Sequence, residues 1–78
     1  MKYIIVKEHD GLESGVVFPE HLSHCDIAKV HRATGLCVVS AGFCSLASPV
    51  RSWGRSDSMN MESRDTDQKV LARDFTWE

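Results

Sequence analysis

Arg51, Trp53 and Arg55 recur at every second position, the spacing that sets side chains on one face of a strand. Trp and Arg are the residue types most enriched where proteins dock, and a guanidinium stacks on an indole. The trio therefore reads as an anchor for a partner or for an anionic ligand. The competing reading makes Trp53 a core or semi-buried residue whose flanking arginines run out to solvent. A second candidate surface lies upstream: Glu8, Asp10, Glu13, Glu20 and Asp26 occupy positions 8 to 26, a stretch with no Lys or Arg. Such a run can meet a basic surface or mimic phosphates, or it can be the solvated side of a hairpin.

Metal and nucleophile chemistry find less support. His21, His24, Cys25, His31, Cys37 and Cys44 are ligand types that zinc prefers, but 11 and 6 residues separate the successive cysteines. Structural zinc sites bring ligands in close pairs such as Cys-x2-4-Cys, so no metal is expected and the thiols read as small, mostly buried groups. Cys25, at the second position of an expected helix and beside His24, would feel the positive end of the dipole. No orienting third group or oxyanion donor can be located, and no catalytic residue is assigned. The phosphate-cradle, dinucleotide, zinc-protease and nucleophile-elbow motifs are all missing from the sequence. No cofactor is expected.

These side chains need elements to position them. Lys2 to Lys7 sets Tyr3 and Ile5 on one face and Ile4 and Val6 on the other, the pattern of a central strand covered on both sides. His9-Asp10-Gly11 is turn chemistry, and Val16-Val17-Phe18 before Pro19 completes a long-looped hairpin. Ser23 with Asp26 approximates a capping box, Leu22 can staple onto Ile27, and Lys29, His31 and Arg32 precede Gly35, which predicts a helix over 24–33. Leu36 to Leu46 predicts a strand in which Gly42 marks a bulge or a close backbone approach. After the Ala47-Ser48-Pro49 turn, Val50 to Met59 alternates as one strand, with Arg51, Trp53 and Arg55 on a shared face. Asp65 with Gln68 opens a second helix carrying Val70, Leu71 and Phe75.

The expected fold is thus α+β in the order ββαββα: an antiparallel sheet of about four strands with two short helices. The simplest packing puts both helices on one face, each burying a single apolar stripe. The terminal Phe75-Thr76-Trp77-Glu78 would close over the core or hook another subunit.

Composition narrows the class. With 42% hydrophobic and 26% charged residues in 78 positions, the chain has the balance of one folded domain and not of a disordered segment. Its apolar runs stop far short of the roughly 20 residues that span a bilayer, and its N-terminus enters a β-like run without a leader pattern. Three cysteines, an odd number, do not form the even set of a disulfide-stapled secreted domain. A cytoplasmic location with reduced thiols is expected. A net charge of −2 gives no basic footprint for nucleic acid, so direct nucleic-acid binding is not expected.

The stretch from Val39-Ser40-Ala41-Gly42-Phe43-Cys44 through Trp53-Gly54-Arg55-Ser56-Asp57-Ser58 to Glu62-Ser63-Arg64-Asp65-Thr66-Asp67 resembles short proteins encoded by phages and prophages of Gram-negative bacteria. The resemblance covers roughly the second half, in style and segment order, and carries no functional residue over. Proteins of that kind include inhibitors of host machinery, anti-CRISPR proteins among them, which act by covering a surface. The resemblance implies a host protein or nucleoprotein complex as partner and, for a phage-encoded chain, the cytoplasm of the bacterial host. The functional expectation is a non-catalytic binding protein that docks through Arg51, Trp53 and Arg55 with part of the acidic hairpin, Glu8, Asp10 and Glu13. Two alternatives stand beside it: a homo-oligomeric structural component joined by edge strands or the C-terminal aromatics, and a zinc-supported nucleic-acid-binding module.

Overall fold

A computed structural model describes residues 1–75. Among the described residues eight elements follow one another: β1 (Lys2–Lys7), β2 (Glu13–Phe18), α1 (His24–Arg32), β3 (Cys37–Ser45), β4 (Arg51–Trp53), β5 (Arg55–Ser56), β6 (Met61–Glu62) and α2 (Asp67–Phe75). Four strands make an antiparallel sheet in the order β2-β1-β3-β4, and β5 pairs with β6 in a separate two-stranded ribbon. The α+β class, the four-stranded sheet and the two helices are those expected.

β1 is central because both of its faces are apolar. Tyr3, Ile4, Ile5 and Val6 are all buried, and strand alternation divides them between two cores. Ile4 and Val6 pack with Phe18, Ala28, Val38 and Ala41 under α1. Tyr3 and Ile5 pack with Cys44 and Leu71 under α2. The helices therefore cover opposite faces, which corrects the expectation of one shared face. A strand that is apolar on both sides needs a cover on each, and two helices on one face would have left Tyr3 and Ile5 in water.

α1 begins where its cap predicts: the Asp26 N–H donates to Ser23 Oγ at 3.0 Å, with Lys29, His31 and Arg32 in the last turn. Gly35, at φ +88°, then reverses the chain into β3. Ser40 pairs with Ile5 and Val38 with Val6, so Val39 is an extra residue and the bulge falls there. Gly42 is instead the close approach. A Cβ on it would lie 2.6 Å from the Trp53 carbonyl oxygen and 3.2 Å from the Tyr3 ring.

The stretch 50–59 is not one strand. Gly54, at φ +78°, breaks it after Trp53, and β5 departs to pair with β6. The resulting hairpin packs Met59 and Met61 against the α1-side core.

α2 also closes the sheet edges. The Gly15 N–H on β2 donates to Asp74 Oδ2 at 2.8 Å and Arg73 Nη2 donates to the Glu13 carbonyl, while at the other edge the Ser52 N–H of β4 donates to Gln68 Oε1 at 3.1 Å. Some of the outward backbone groups that would otherwise invite another strand are thus occupied by side chains.

Candidate protein-docking surface

The register aligns Phe18, Lys2, Phe43 and Trp53 in one row across the four strands. These residues share the face that carries α1. His24, in the first turn of α1, sits over the row with its ring edge-on to both Phe18 and Phe43, at centroid distances of 5.4 and 5.8 Å. Its Nε2–H donates to the Gly42 carbonyl at 2.8 Å. The aromatic row thus runs from the core to the β4 edge, where it ends at Trp53, 50% exposed. Trp is among the residue types most enriched in contact hot spots, and here half of a large ring is available to a partner. Leu22 is exposed on the loop before α1, and its carbonyl accepts from Lys2 Nζ at 3.0 Å, which places it over the same end of the sheet. Sequence reading missed Leu22 as a surface residue, having used it to staple the helix.

Arg51 stays with Trp53 on β4 and is exposed. Among the described residues its guanidinium has no hydrogen-bond or ion-pair partner. Arg55 does not share that strand. Its guanidinium is held inside the β5–β6 hairpin by Asn60 Oδ1 at 2.8 Å, Asp57 Oδ1 at 3.1 Å and Glu62 Oε1 at 3.6 Å. The expected alternation of three residues stops at Gly54.

The acids also divide. Glu8 and Asp10 lie exposed in the β1–β2 turn, where Asp10 Oδ1 accepts from the Leu12 N–H at 2.9 Å. Lys7, which precedes this turn, pairs with Glu13 and Cys37, whereas Lys2 pairs with Phe18 and Phe43. Five strand residues, about 17 Å at the usual rise, thus separate the turn from the Trp53 row. The turn and Trp53 belong to different ends of the sheet. Glu13 is no free surface acid: Arg64 Nη2 donates to it at 2.6 Å, and this bond holds its carboxyl below the ordinary range.

Arg64 belongs to a buried network that sequence reading missed. Asp67 is fully buried and accepts four bonds, from Tyr3 Oη at 2.6 Å, Ser40 Oγ at 2.8 Å, Arg64 Nε at 2.9 Å and the Arg64 N–H at 2.9 Å. The last, with the Asp67 N–H donating back to the Arg64 carbonyl at 3.0 Å, closes the turn that leads into α2. Burial first, then the bond to Asp67, pushes the Tyr3 phenol well above its usual range. Among the described residues no buried side-chain nitrogen or oxygen lacks a partner, and the cluster carries no open position for a substrate. It fastens α2 to β1, β2 and β3. The signal available in sequence is Asp67 at the head of an amphipathic helix; the helix begins there, after Thr66, and not at the expected cap Asp65.

The other chemical candidates are dispersed. His24 turns into the core, His31 Nδ1–H donates to the Ile27 carbonyl at 2.9 Å, and Cys25, Cys37 and Cys44 are free thiols. Burial raises Cys44 above the usual thiol range, which keeps it protonated. No group of three or more His, Cys, Asp or Glu among the described residues could hold a metal ion. A groove of about 570 Å³ runs between α2 and the turn into β4, lined by Leu46, Pro49, Val50, Gln68 and Phe75 among others. Of the C-terminal aromatic hook, Phe75 lines this groove, while Thr76, Trp77 and Glu78 lie outside the described residues. No helix among the described residues is long and apolar enough to cross a membrane.

No family model, no curated protein and no solved structure matches this chain.

Proposed function

We propose that this chain is a non-catalytic binding protein that docks on another protein through the end of its aromatic row, with Trp53 as the anchor and Arg51 as the neighbouring cation. The observation that carries the reading is the position of Trp53. It continues a row of packed aromatic side chains, yet half its surface remains in water beside a guanidinium that has no partner among the described residues. The half of the ring that is not in water already lies against the sheet edge, so a partner needs to cover only the other half. Arg55 supports the surface indirectly, by holding the hairpin that follows. Glu8 and Asp10 lie at the far end of the sheet and are not part of this surface.

The resemblance to small phage-encoded proteins gives the proposal a specific form, occlusion of a host protein or nucleoprotein complex in the bacterial cytoplasm, as an anti-CRISPR protein does. The test is affinity capture from bacterial lysate with wild type and with a folded Trp53→Ala variant, followed by titration of the captured partner. Loss of about 2 kcal/mol or more of binding free energy in the variant is the expected outcome. Undiminished binding would remove Trp53 from the contact surface.

A further inference from the structure

The outer edge of β4 has the geometry to pair with itself. Met1 and Cys44 exchange both backbone bonds, Met1 N to Cys44 O at 3.1 Å and Cys44 N to Met1 O at 2.8 Å. Cys44 therefore turns its peptide groups toward β1, and its neighbours Phe43 and Ser45 turn theirs toward Trp53 and Arg51. Ser52, opposite Cys44, is left facing outward, which is where its N–H meets Gln68 Oε1. We propose that in the free protein β4 pairs antiparallel with β4 of a second copy, about a two-fold axis at Ser52.

An axis at that residue makes the two Ser52 peptide groups a hydrogen-bonded pair, each N–H donating to the other copy's carbonyl. It also sets Arg51 directly opposite the Trp53 of the second copy, twice over. These flanking pairs are of the narrow kind, in which side chains approach most closely. A guanidinium with no partner among the described residues and a half-exposed indole meet as cation and π-face. The surface is thus complementary to itself, as an isologous contact requires.

The two edges of the sheet differ in how they are closed. On β2 both charged side chains Asp74 and Arg73 bind the outward backbone, whereas on β4 a single neutral amide on an exposed residue does so. That amide can rotate away without exposing a buried charge. Because β4 has three residues, strand pairing alone covers less than the roughly 1,200 Å² of a stable interface. The groove beside α2, with Leu46, Val50 and Phe75, adjoins the same edge. The association is accordingly weak and reversible, and it covers the very residues used for docking. Self-pairing rests on the docking reading, because it uses the same two side chains, and it competes with the partner for them.

Sedimentation velocity of the full chain from about 1 μM to about 1 mM tests the idea, with circular dichroism to check each variant's fold. Wild type should pass from monomer to dimer across that range. Ser52→Pro deletes the outward donor, at an edge position where proline is tolerated, and Trp53→Ala deletes the π-face. Each should weaken dimerisation at least tenfold. Gln68→Ala frees the Ser52 N–H from its internal partner and should tighten the dimer several-fold, an effect of opposite sign that no general loss of stability would produce. Should Ser52→Pro fail to fold, the opposed effects of Trp53→Ala and Gln68→Ala decide alone. A strictly monomeric wild type and Gln68→Ala variant, a dimer indifferent to Trp53→Ala, or a dimer weakened by Gln68→Ala would overturn the proposal. If Trp53→Ala is monomeric yet keeps its lysate partner, the pairing stands and the docking reading falls. If wild type is monomeric and its Trp53→Ala variant loses the partner, the docking reading stands and the pairing falls.

Discussion

Tyr3 and Asp67, 64 positions apart in the chain, meet through a 2.6 Å hydrogen bond in which the phenol donates to a fully buried carboxylate. The bond joins the central strand to the first turn of α2. With Ser40 and Arg64 also donating to Asp67, a buried charge is left with no unsatisfied direction. That arrangement makes Asp67 a costly residue to alter, since removing one member of a buried charged network strands the others.

Asp67→Asn should therefore lower unfolding free energy by about 3 kcal/mol or more, because the amide neither balances Arg64 nor accepts every bond. Tyr3→Phe keeps the carboxylate and its remaining donors and should cost about 1 kcal/mol. Urea unfolding of the two variants against wild type measures the difference. Equal effects would mean that the charge of Asp67 contributes nothing.

Acid should loosen the same region. The bond from Arg64 holds Glu13 below the ordinary carboxylate range. Asp74 is also lowered: burial acts against the shift, and the bonds from Arg73 and the Gly15 N–H overcome it. A carboxyl whose folded pKa is depressed contributes stability above its unfolded pKa, and that contribution fades as pH falls through the folded value. Stability should thus be level near neutrality and decline below about pH 4.3, the usual glutamate value. Glu13→Gln should flatten the decline, as followed by thermal unfolding across pH 2 to 7. A profile identical to wild type would show that the ion pair is not coupled to folding.

Much of this fold could be read from local signals, and its gaps have physical causes. The two-faced apolar pattern of β1 and the Ser23 cap of α1 are dictated by nearest neighbours, so both were legible. Placing the helices on opposite faces follows from the same β1 pattern, but only once each helix is matched to a face, which is a long-range choice. Gly54 interrupts an alternation that otherwise continues, and a single glycine with φ above zero leaves no periodic trace. Arg55 was misplaced for that reason. Glu13 looked like a surface acid because charge usually stays in water, and its partner Arg64 lies 51 positions beyond it. Arg51 and Trp53 were legible as a pair because two successive positions on one face need only a short strand.

Glycine positions separate two kinds of constraint. Gly42→Ala drives a Cβ into the Trp53 carbonyl and the Tyr3 ring and should cost about 3 kcal/mol, the upper end for overpacking. At Gly35 a Cβ meets nothing within 4 Å, and the penalty comes only from its φ of +88°. Gly35→Ala should accordingly cost about 1 kcal/mol. Chemical denaturation that ranked the two in the opposite order would contradict the close packing between β3 and β4.

Removing the docking side chains should spare the fold. Arg51→Ala should change stability by no more than about 0.5 kcal/mol, as for an exposed side chain away from any network. Trp53→Ala gives up only the buried half of its ring, for about 1 kcal/mol. Phe43→Ala, deeper in the same row and against His24, should cost about 3 kcal/mol. Thermal unfolding of the three variants gives the order, and a Trp53 variant as damaged as the Phe43 variant would assign Trp53 to the core.

The most direct test of the docking surface is site-specific photo-crosslinking in bacterial lysate, with a benzophenone amino acid at position 51 in one sample and at position 10 in another. Arg51 adjoins the exposed ring and Asp10 lies in the turn at the opposite end of the sheet. A discrete adduct with a foreign protein from position 51, and none from position 10, is the result expected of a partner seated on Trp53. An adduct from position 10 alone would put the partner at the acidic turn and contradict the account.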